Sequence, residues 1–156
     1  MRREETVDHN IKSAWHAISR MYNQQASKYE VTTSIGFVLL NIHSEEGTPA
    51  TKIAPLMGLE ARSLTRMLKT MEEKKLIYRR PDPLDKRSVR IYLTELGKSK
   101  KELSRASVLL FNNRVRELIP DSKLNIFFEV VNEITQLATN EKFDPSMFQK
   151  KTIGNP

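Results

Sequence analysis

An amphipathic helix followed directly by a β-hairpin is the feature that most constrains this fold. Between residues 60 and 75, apolar side chains recur every three or four positions and fall within about 60° of one helical face. That face comprises Ala61, Leu64, Met67, Leu68 and Met71. The opposite face carries Arg62, Arg66, Lys69 and Glu73, with hydroxyl side chains on its flanks. One side of the helix is therefore predicted to be buried, while the other offers cations and hydroxyl groups to a partner.

Two short strands with a basic tip follow this helix. Leu76–Arg80 is predicted to be a strand, and the Pro81–Lys86 segment is rich in turn-forming residues. From Val89 to Thr94 apolar and polar residues alternate, as in a half-buried strand. Because an isolated hairpin is only marginally stable in water, this one is expected to pack against the preceding helices.

Apolar spacing predicts three helices before this segment. The first runs from about Asp8 to Tyr29, and the second starts at Thr32 or Thr33 and ends at Glu45–Gly47. A short third helix is predicted to begin with Thr48 as its N-cap and proline at its first position, and to stop at Gly58.

Two helices are predicted after the hairpin. The first runs from about Glu95 to Leu118, where Pro120 stops it, and the second starts at Asp121 or Ser122. The first of them is long and only sparsely apolar, which a small monomeric core explains poorly, so it is expected to meet a partner. From Glu141 onward the chain is mostly polar and is expected to be loosely ordered or locally docked.

The positive charge is concentrated in the helix and hairpin. Ten of the 26 Lys and Arg residues, but only five of the 19 Asp and Glu residues, lie between Gly58 and Arg90. These 33 residues carry a formal charge of +5, against +2 for the other 123. A merely solvated basic surface is less favoured than a polyanion site, because the cations are spaced by the helix and hairpin rather than clustered in a run. Each neutralised phosphate would release counterions, so the segment suits a nucleic acid.

Composition excludes several other classes. Without cysteine the chain has no disulfide, thiolate metal site or thiol redox switch. Its longest apolar run, Phe37–Leu40, is far shorter than the roughly 18 residues of a membrane span, and the N-terminus lacks an apolar secretory segment. We therefore expect a soluble, cytoplasmic, single-domain protein with no membrane partner.

No enzyme motif is present. Sequence patterns for nucleotide, dinucleotide, hydrolase and metalloprotease sites are absent, and the three histidines are not spaced as metal ligands. We predict no catalytic residues, no metal site and no cofactor. Trp15 and Tyr22 share a helical face and are candidates for a pocket that binds a small-molecule effector, although aromatics at this spacing are more often core residues.

Three motifs together resemble the MarR family of winged-helix transcriptional regulators. They are Leu64-Thr-Arg-Met-Leu68, Pro81-x-Pro83-x-Asp85-Lys-Arg87 and Leu93-Thr-x-x-Gly97, in the family's order and spacing. The resemblance implies a mainly α fold with six helices, a short first strand near Thr48 and a two-stranded wing. It implies a single domain over residues 1–156, with a winged helix-turn-helix at 32–94, helical dimerisation regions at 1–31 and 95–140, and a C-terminal tail at 141–156.

The resemblance also implies roles for individual residues. The amphipathic helix would be the recognition helix, with Arg62, Ser63, Thr65 and Arg66 facing the major groove and Lys69 meeting phosphate. In the wing, Arg87 would enter or adjoin the minor groove, Asp85 would orient it, and Arg80 and Lys86 would anchor the DNA backbone. The sequence departs from the family pattern at Pro55 and Glu60. Pro55 interrupts the third helix, and Glu60 replaces a capping residue and would place a negative charge near phosphate.

These observations predict a sequence-specific transcriptional regulator, a repressor that binds double-stranded DNA. As a homodimer it should prefer a palindromic operator with half-sites about 10 bp apart. A small-molecule effector that stabilises a different spacing of the two recognition helices could release it. The alternative is a winged-helix module that binds protein or RNA rather than duplex DNA, and an enzyme is the least favoured hypothesis.

Overall fold

The computed structural model describes residues 1–26 and 31–141. Within them the fold is mainly α-helical, with six α-helices, one 3₁₀ turn at Arg3–Glu5 and a small antiparallel sheet. In chain order the elements are α1 (Val7–Ala26), α2 (Thr33–Leu40), β1 (Thr48–Pro49), α3 (Ala50–Leu56), α4 (Ala61–Glu73), β2 (Ile77–Pro81), β3 (Val89–Leu93), α5 (Glu95–Leu118) and α6 (Asp121–Asn140). The predicted fold class, a mainly α winged helix-turn-helix with a small wing, is confirmed.

The chain divides into two compact units. The first, residues 1–111, contains α1 to α4, the sheet and most of α5. The second, residues 112–156, contains the end of α5 and all of α6 and is described as far as residue 141. The basic helix and the hairpin therefore belong to the same unit.

A single apolar core holds α4 and the hairpin together within the first unit. The three strands lie in the order β1-β3-β2, with Thr48 opposite Ile91 and Ile77 opposite Leu93. The fully buried side chains at the centre are Val38, Leu39, Ile42, Ile53, Met71 and Ile91. The hairpin is thus stabilised by the helices that precede it, as predicted.

The buried face of α4 is largely the predicted one. Leu64, Leu68 and Met71 are buried and Met67 packs against the core at partial exposure. Ala61 is exposed, contrary to the prediction, because it is the first residue of the helix and extends beyond the core. Val89, predicted to alternate into a half-buried strand, is also exposed, since it lies at the tip end of β3.

Two predicted boundaries around α2 and α3 are wrong. Helix α2 ends at Leu40, because the Asn41 backbone N–H donates to the Val38 carbonyl at 3.0 Å and its side-chain amide donates to the Phe37 carbonyl. Thr48 does not cap α3: it lies in β1, paired with β3, and the capping position passes to Pro49. The short strand near Thr48, which the family resemblance implied, is confirmed.

The other helix ends agree more closely with prediction. Thr32 caps α2 through its side chain, which accepts from the Ile35 N–H, and α5 and α6 begin and end near their predicted positions. Helix α3 contains Pro55 and continues one residue past it. Tyr29, the predicted end of α1, and residues 142–156 of the tail lie outside the described residues.

Gly97 allows the start of α5 to lie directly against the backbone of Leu76. A Cβ at position 97 would overlap the Leu76 carbonyl oxygen, which also accepts a hydrogen bond from the Thr94 N–H at 3.0 Å. We expect Gly97→Ala to lower the free energy of unfolding by about 1–3 kcal/mol, because the added methyl overpacks this contact. Urea unfolding checks this, with exposed Ser99→Ala in the same helix as the control. An unchanged unfolding midpoint in Gly97→Ala would contradict the close packing.

Candidate nucleic-acid interface

The outer face of α4 presents the predicted recognition residues to solvent. Its five candidates are all exposed, opposite the buried leucines of the same helix: Arg62, Ser63, Thr65, Arg66 and Lys69. The Thr65 hydroxyl donates to the Ala61 carbonyl at 2.9 Å, so its remaining capacity toward a partner is as an acceptor. Glu60, at the N-cap of α4, makes no side-chain capping bond, as expected for a glutamate there.

The three cations of this face are chemically available. Within the part of the chain that the structure describes, the side chains of Arg62, Arg66 and Lys69 have neither an ion-pair nor a hydrogen-bond partner. Two other cations of the basic segment are already neutralised: Arg79 by Glu72 at 3.1 Å and Arg90 by Asp82 at 2.9 Å. Of the ten basic residues between Gly58 and Arg90, these two in the hairpin are therefore paired within the protein.

Asp82 is a key residue of the wing that the sequence did not single out. Its side chain is buried and accepts three hydrogen bonds. Oδ1 accepts from the backbone N–H groups of Leu84 at 2.9 Å and Asp85 at 3.3 Å, and Oδ2 accepts from Arg90 Nε at 2.9 Å. Arg90 Nη1 also donates to the carbonyls of Glu46 at 3.2 Å and Gly47 at 3.4 Å. The pair therefore ties the wing loop to the turn before β1.

The hydrogen bonds to Asp82 favour its charged form. The backbone N–H of Leu84 contributes most to lowering the pKa of this carboxyl, while burial opposes the shift and the Arg90 guanidinium adds to it. Asp82 is therefore a carboxylate at neutral pH, and the wing loop is built around that fixed negative charge. A sequence signal existed, since an aspartate between two prolines is typical of a turn in which the side chain binds backbone N–H groups two and three residues ahead.

Asp85 orders the loop backbone. Its Oδ1 accepts from the backbone N–H of Arg87 at 3.0 Å and its Oδ2 accepts from the Ser88 hydroxyl at 3.0 Å. The carboxylate contacts the main chain of Arg87 and not its guanidinium. Among the described residues, the side chains of Lys86 and Arg87 are exposed and have no partner. The wing thus turns both acids toward its own backbone and leaves its cations outside.

Arg80 is held on the outer face of the sheet by aromatic rings. Its guanidinium carbon lies 5.1 Å from the centre of the Tyr78 ring, which stacks on Tyr92 at 5.4 Å with an angle of 14° between the rings. Such stacking restricts the guanidinium but leaves its N–H donors free. Arg80 therefore retains the donors that a phosphate contact would need.

Trp15 and Tyr22 both contact the ring of Phe37 but line different cavities. The centre of the Phe37 ring lies 5.9 Å from that of Trp15 and 6.0 Å from that of Tyr22. Tyr22 is buried, which raises its pKa, and it lines a cavity of about 50 Å³ between α1, α2 and α5. Trp15 is half-exposed and lines an open groove of about 540 Å³ that extends to α4. Phe37 was not singled out from the sequence, although it faces both cavities.

The groove beside Trp15 reaches two of the predicted DNA-contacting residues. Its apolar wall is formed by side chains such as Leu56, Met57 and Met67, and Ser63 and Arg66 also line it. Its volume lies in the range of pockets that bind small molecules, about 300–1,000 Å³, whereas the cavity beside Tyr22 is far smaller.

The described residues contain no cluster of His, Cys, Asp or Glu that could hold a metal ion. Within the same residues, no helix combines the length and apolarity needed to cross a membrane.

Comparison with known proteins points to one family. Residues 31–89, which include α4 and the wing loop, match the model of the MarR family. It is 32% identical over 96 residues to the HTH-type transcriptional regulator SarZ of Staphylococcus aureus, a match that covers 61% of this chain. The chain spans 65% of the length of that relative.

Solved structures of MarR-like proteins share the fold. A complex of S. aureus MepR with DNA matches with a TM-score of 0.77 and 20% identity, over 87% of this chain and 99% of MepR. CouR from Rhodococcus jostii, bound to p-coumaroyl-CoA, matches with a TM-score of 0.72 and 19% identity, over 92% of this chain and 99% of CouR. The relative SarZ is a transcriptional regulator, and the prediction that this chain is not an enzyme agrees with that likeness.

Proposed function

We propose that this chain is a regulator of the MarR family, a cytoplasmic, homodimeric repressor that binds a palindromic operator in double-stranded DNA. The observation that carries the proposal is the set of exposed, unpaired cations on two elements of one unit, the outer face of α4 and the wing tip. Helix α4 is 13 residues long and carries two guanidinium groups one turn apart, a spacing suited to base edges in the major groove. The DNA complex of MepR, which has the same fold, supports this assignment.

The proposed roles follow the chemistry of each side chain. Arg62, Ser63, Thr65 and Arg66 contact base edges, and Lys69 contacts phosphate. In the wing, Arg87 approaches the minor groove, where narrow A·T-rich segments attract a guanidinium, while Lys86 and Arg80 contact the backbone. Asp85 acts through the loop, by holding the main chain at Arg87 in place.

Exposed apolar side chains support the homodimer. Helix α6 exposes Ile126, Phe127, Phe128, Val130 and Leu137, and α5 exposes Leu109, Leu110 and Leu118. Apolar surface of this extent is uncommon on a monomer and is typical of an interface. We propose that residues 1–31 and 95–140 supply this interface with a second copy of the chain, while residues 32–94 bind DNA.

We also propose that a small-molecule effector weakens DNA binding through the groove beside Trp15. Its apolar walls, together with the Arg66 guanidinium, suit a mostly apolar molecule that carries a negative charge. Such a ligand would engage Arg66 and Ser63, which the operator also needs, so DNA and effector would exclude one another. The effector can shift DNA binding only by the difference between its affinities for the free and DNA-bound protein. The ligand complex of CouR supports an effector in this fold.

Two substitutions on α4 test the proposed roles. We expect Arg66→Ala to reduce discrimination between the operator and its single-base variants by about 1–3 kcal/mol, because a bidentate base contact is lost. Lys69→Ala should weaken binding to all sequences nearly equally, because phosphates are the same everywhere. Anisotropy titrations of the operator and its variants measure both effects. Arg79→Ala is the control, since Glu72 already neutralises that guanidinium. Identical behaviour of the Arg66 and Lys69 variants would contradict this division of roles.

A further inference from the structure

We propose that Leu84, at the tip of the wing, is an apolar wedge that enters the minor groove beside the recognition site. There it would select a base step that opens easily. This inference rests on the proposed DNA-binding function and adds a specificity-determining residue to it. Leucine is among the side chains that minor-groove proteins insert between base steps, and pyrimidine–purine steps unstack most readily.

The exposure of Leu84 sets it apart from the other leucines of the described residues. It is 91% exposed, whereas the next most exposed leucines, Leu110 and Leu118, are 66% exposed and lie on α5. An exposed leucine alone carries little meaning, because single apolar side chains are common on protein surfaces. The loop that holds Leu84 supplies the further evidence.

The backbone at Leu84 is fixed by the buried carboxylate of Asp82. The Leu84 N–H donates to Asp82 Oδ1 at 2.9 Å, and Pro83 before it restricts the main chain further. The loop is closed from the other side by the Asp82 N–H, which donates to the Ser88 carbonyl at 2.9 Å. A leucine on such a fixed loop can be buried by a partner without the cost of ordering the loop at binding.

The surroundings of Leu84 match a minor groove. The carboxylates of Asp82 and Asp85 accept hydrogen bonds from within the wing, so the tip exposes the apolar Pro83 and Leu84, followed in sequence by the cations Lys86 and Arg87. A minor groove offers phosphates along both edges and apolar sugar and base surface between them. An anionic membrane would also attract cations, but it requires an apolar face of many side chains, and the described tip exposes one leucine beside Pro83.

The test uses the full-length protein and an operator duplex that carries 2-aminopurine in the flank facing the wing. We expect the wild type to raise 2-aminopurine fluorescence, because the wedge unstacks the base, and to prefer a TA step over a stiff A-tract there. Leu84→Ser should abolish the fluorescence rise and the flank preference and weaken operator binding about tenfold, equivalent to about 1.4 kcal/mol. Leu84→Met, which is still apolar, should restore both signals.

Two further variants separate the wedge from charge and from wing stability. Leu84→Lys adds a cation at the tip. If the tip acted through charge alone, this variant would bind at least as tightly as the wild type and keep the flank preference. That result would overturn the proposal. Val89→Thr makes an exposed apolar residue of β3 polar, outside the loop that holds Leu84, and should behave as the wild type. Unchanged melting temperatures show that the variants fold. Wild-type fluorescence and flank preference in Leu84→Ser would overturn the wedge alone, whereas a wild type that binds no duplex would overturn the proposed function and the wedge with it.

Discussion

Replacing Asp82 with alanine is expected to lower the melting temperature by about 10 °C. The substitution leaves the Arg90 guanidinium, which is only 16% exposed, without its counterion and removes the acceptor of the Leu84 and Asp85 N–H groups. Removal of one partner of a buried ion pair is costly because the other charge stays buried. Calorimetry or circular dichroism measures the effect.

The double variant Asp82→Ala/Arg90→Leu is the matched control for the buried charge. It should recover much of the lost melting temperature, because no uncompensated guanidinium remains. Both variants should bind the operator more weakly than the wild type, because the wing loop lacks the carboxylate that accepts from the N–H groups of Leu84 and Asp85. Equal melting temperatures of wild type and Asp82→Ala would contradict the structural role of this carboxylate.

The same carboxylate gives stability a defined pH dependence. The Leu84 N–H above all, with Arg90, lowers the pKa of Asp82 in the folded protein, whereas the unfolded chain has the ordinary value of about 4. The stabilisation is therefore fully present above that value and is lost as the pH falls through the lowered folded pKa. The difference in melting temperature between wild type and Asp82→Ala should accordingly shrink in strong acid.

Operator affinity is expected to fall by about 10³–10⁵ between 50 and 200 mM salt, the range for a protein that makes roughly 6–10 phosphate contacts. Three side chains are proposed to contact phosphate, Lys69, Lys86 and Arg80, and over two subunits they supply about six such contacts. Titrations at several salt concentrations give the slope directly. Lys69→Ala should reduce the slope of log affinity against log salt concentration by about 2 in magnitude, because each of the two subunits loses one phosphate contact. Arg79→Ala should leave this slope unchanged. A flat salt dependence would contradict an interface built on free cations.

Local patterns were sufficient to predict most of the helices and the hairpin. The α4 stripe, Pro120 after α5 and the alternation along β3 all depend on residues near one another in sequence, so they can be recognised without tertiary structure. The exposure of the recognition residues followed from the same helical geometry. Thr48 was misassigned because its strand forms only by pairing with Ile91, a contact 43 residues distant that competes with a plausible local capping signal.

The positions of the basic residues could be read from the sequence, but the sequence does not show which of them pair with an acidic residue in the fold. Arg79 and Arg90 resemble the other cations of the segment until the fold brings Glu72 and Asp82 against them. The same limitation explains why Asp82 was overlooked and why Trp15 and Tyr22 were placed in one pocket. The role of Asp82 depends on Arg90, which β3 supplies. The placement of Trp15 and Tyr22 in two cavities depends on Phe37, which α2 supplies.

The proposed dimer holds two copies of the basic surface at the spacing of consecutive turns of one duplex. Selection of binding sites from random double-stranded DNA by the pure protein, at a stated salt concentration, tests this most directly. We predict enrichment of an inverted repeat whose half-sites are centred about 10 bp apart. Enrichment of a single unrepeated site, or of no sequence at all, would contradict it.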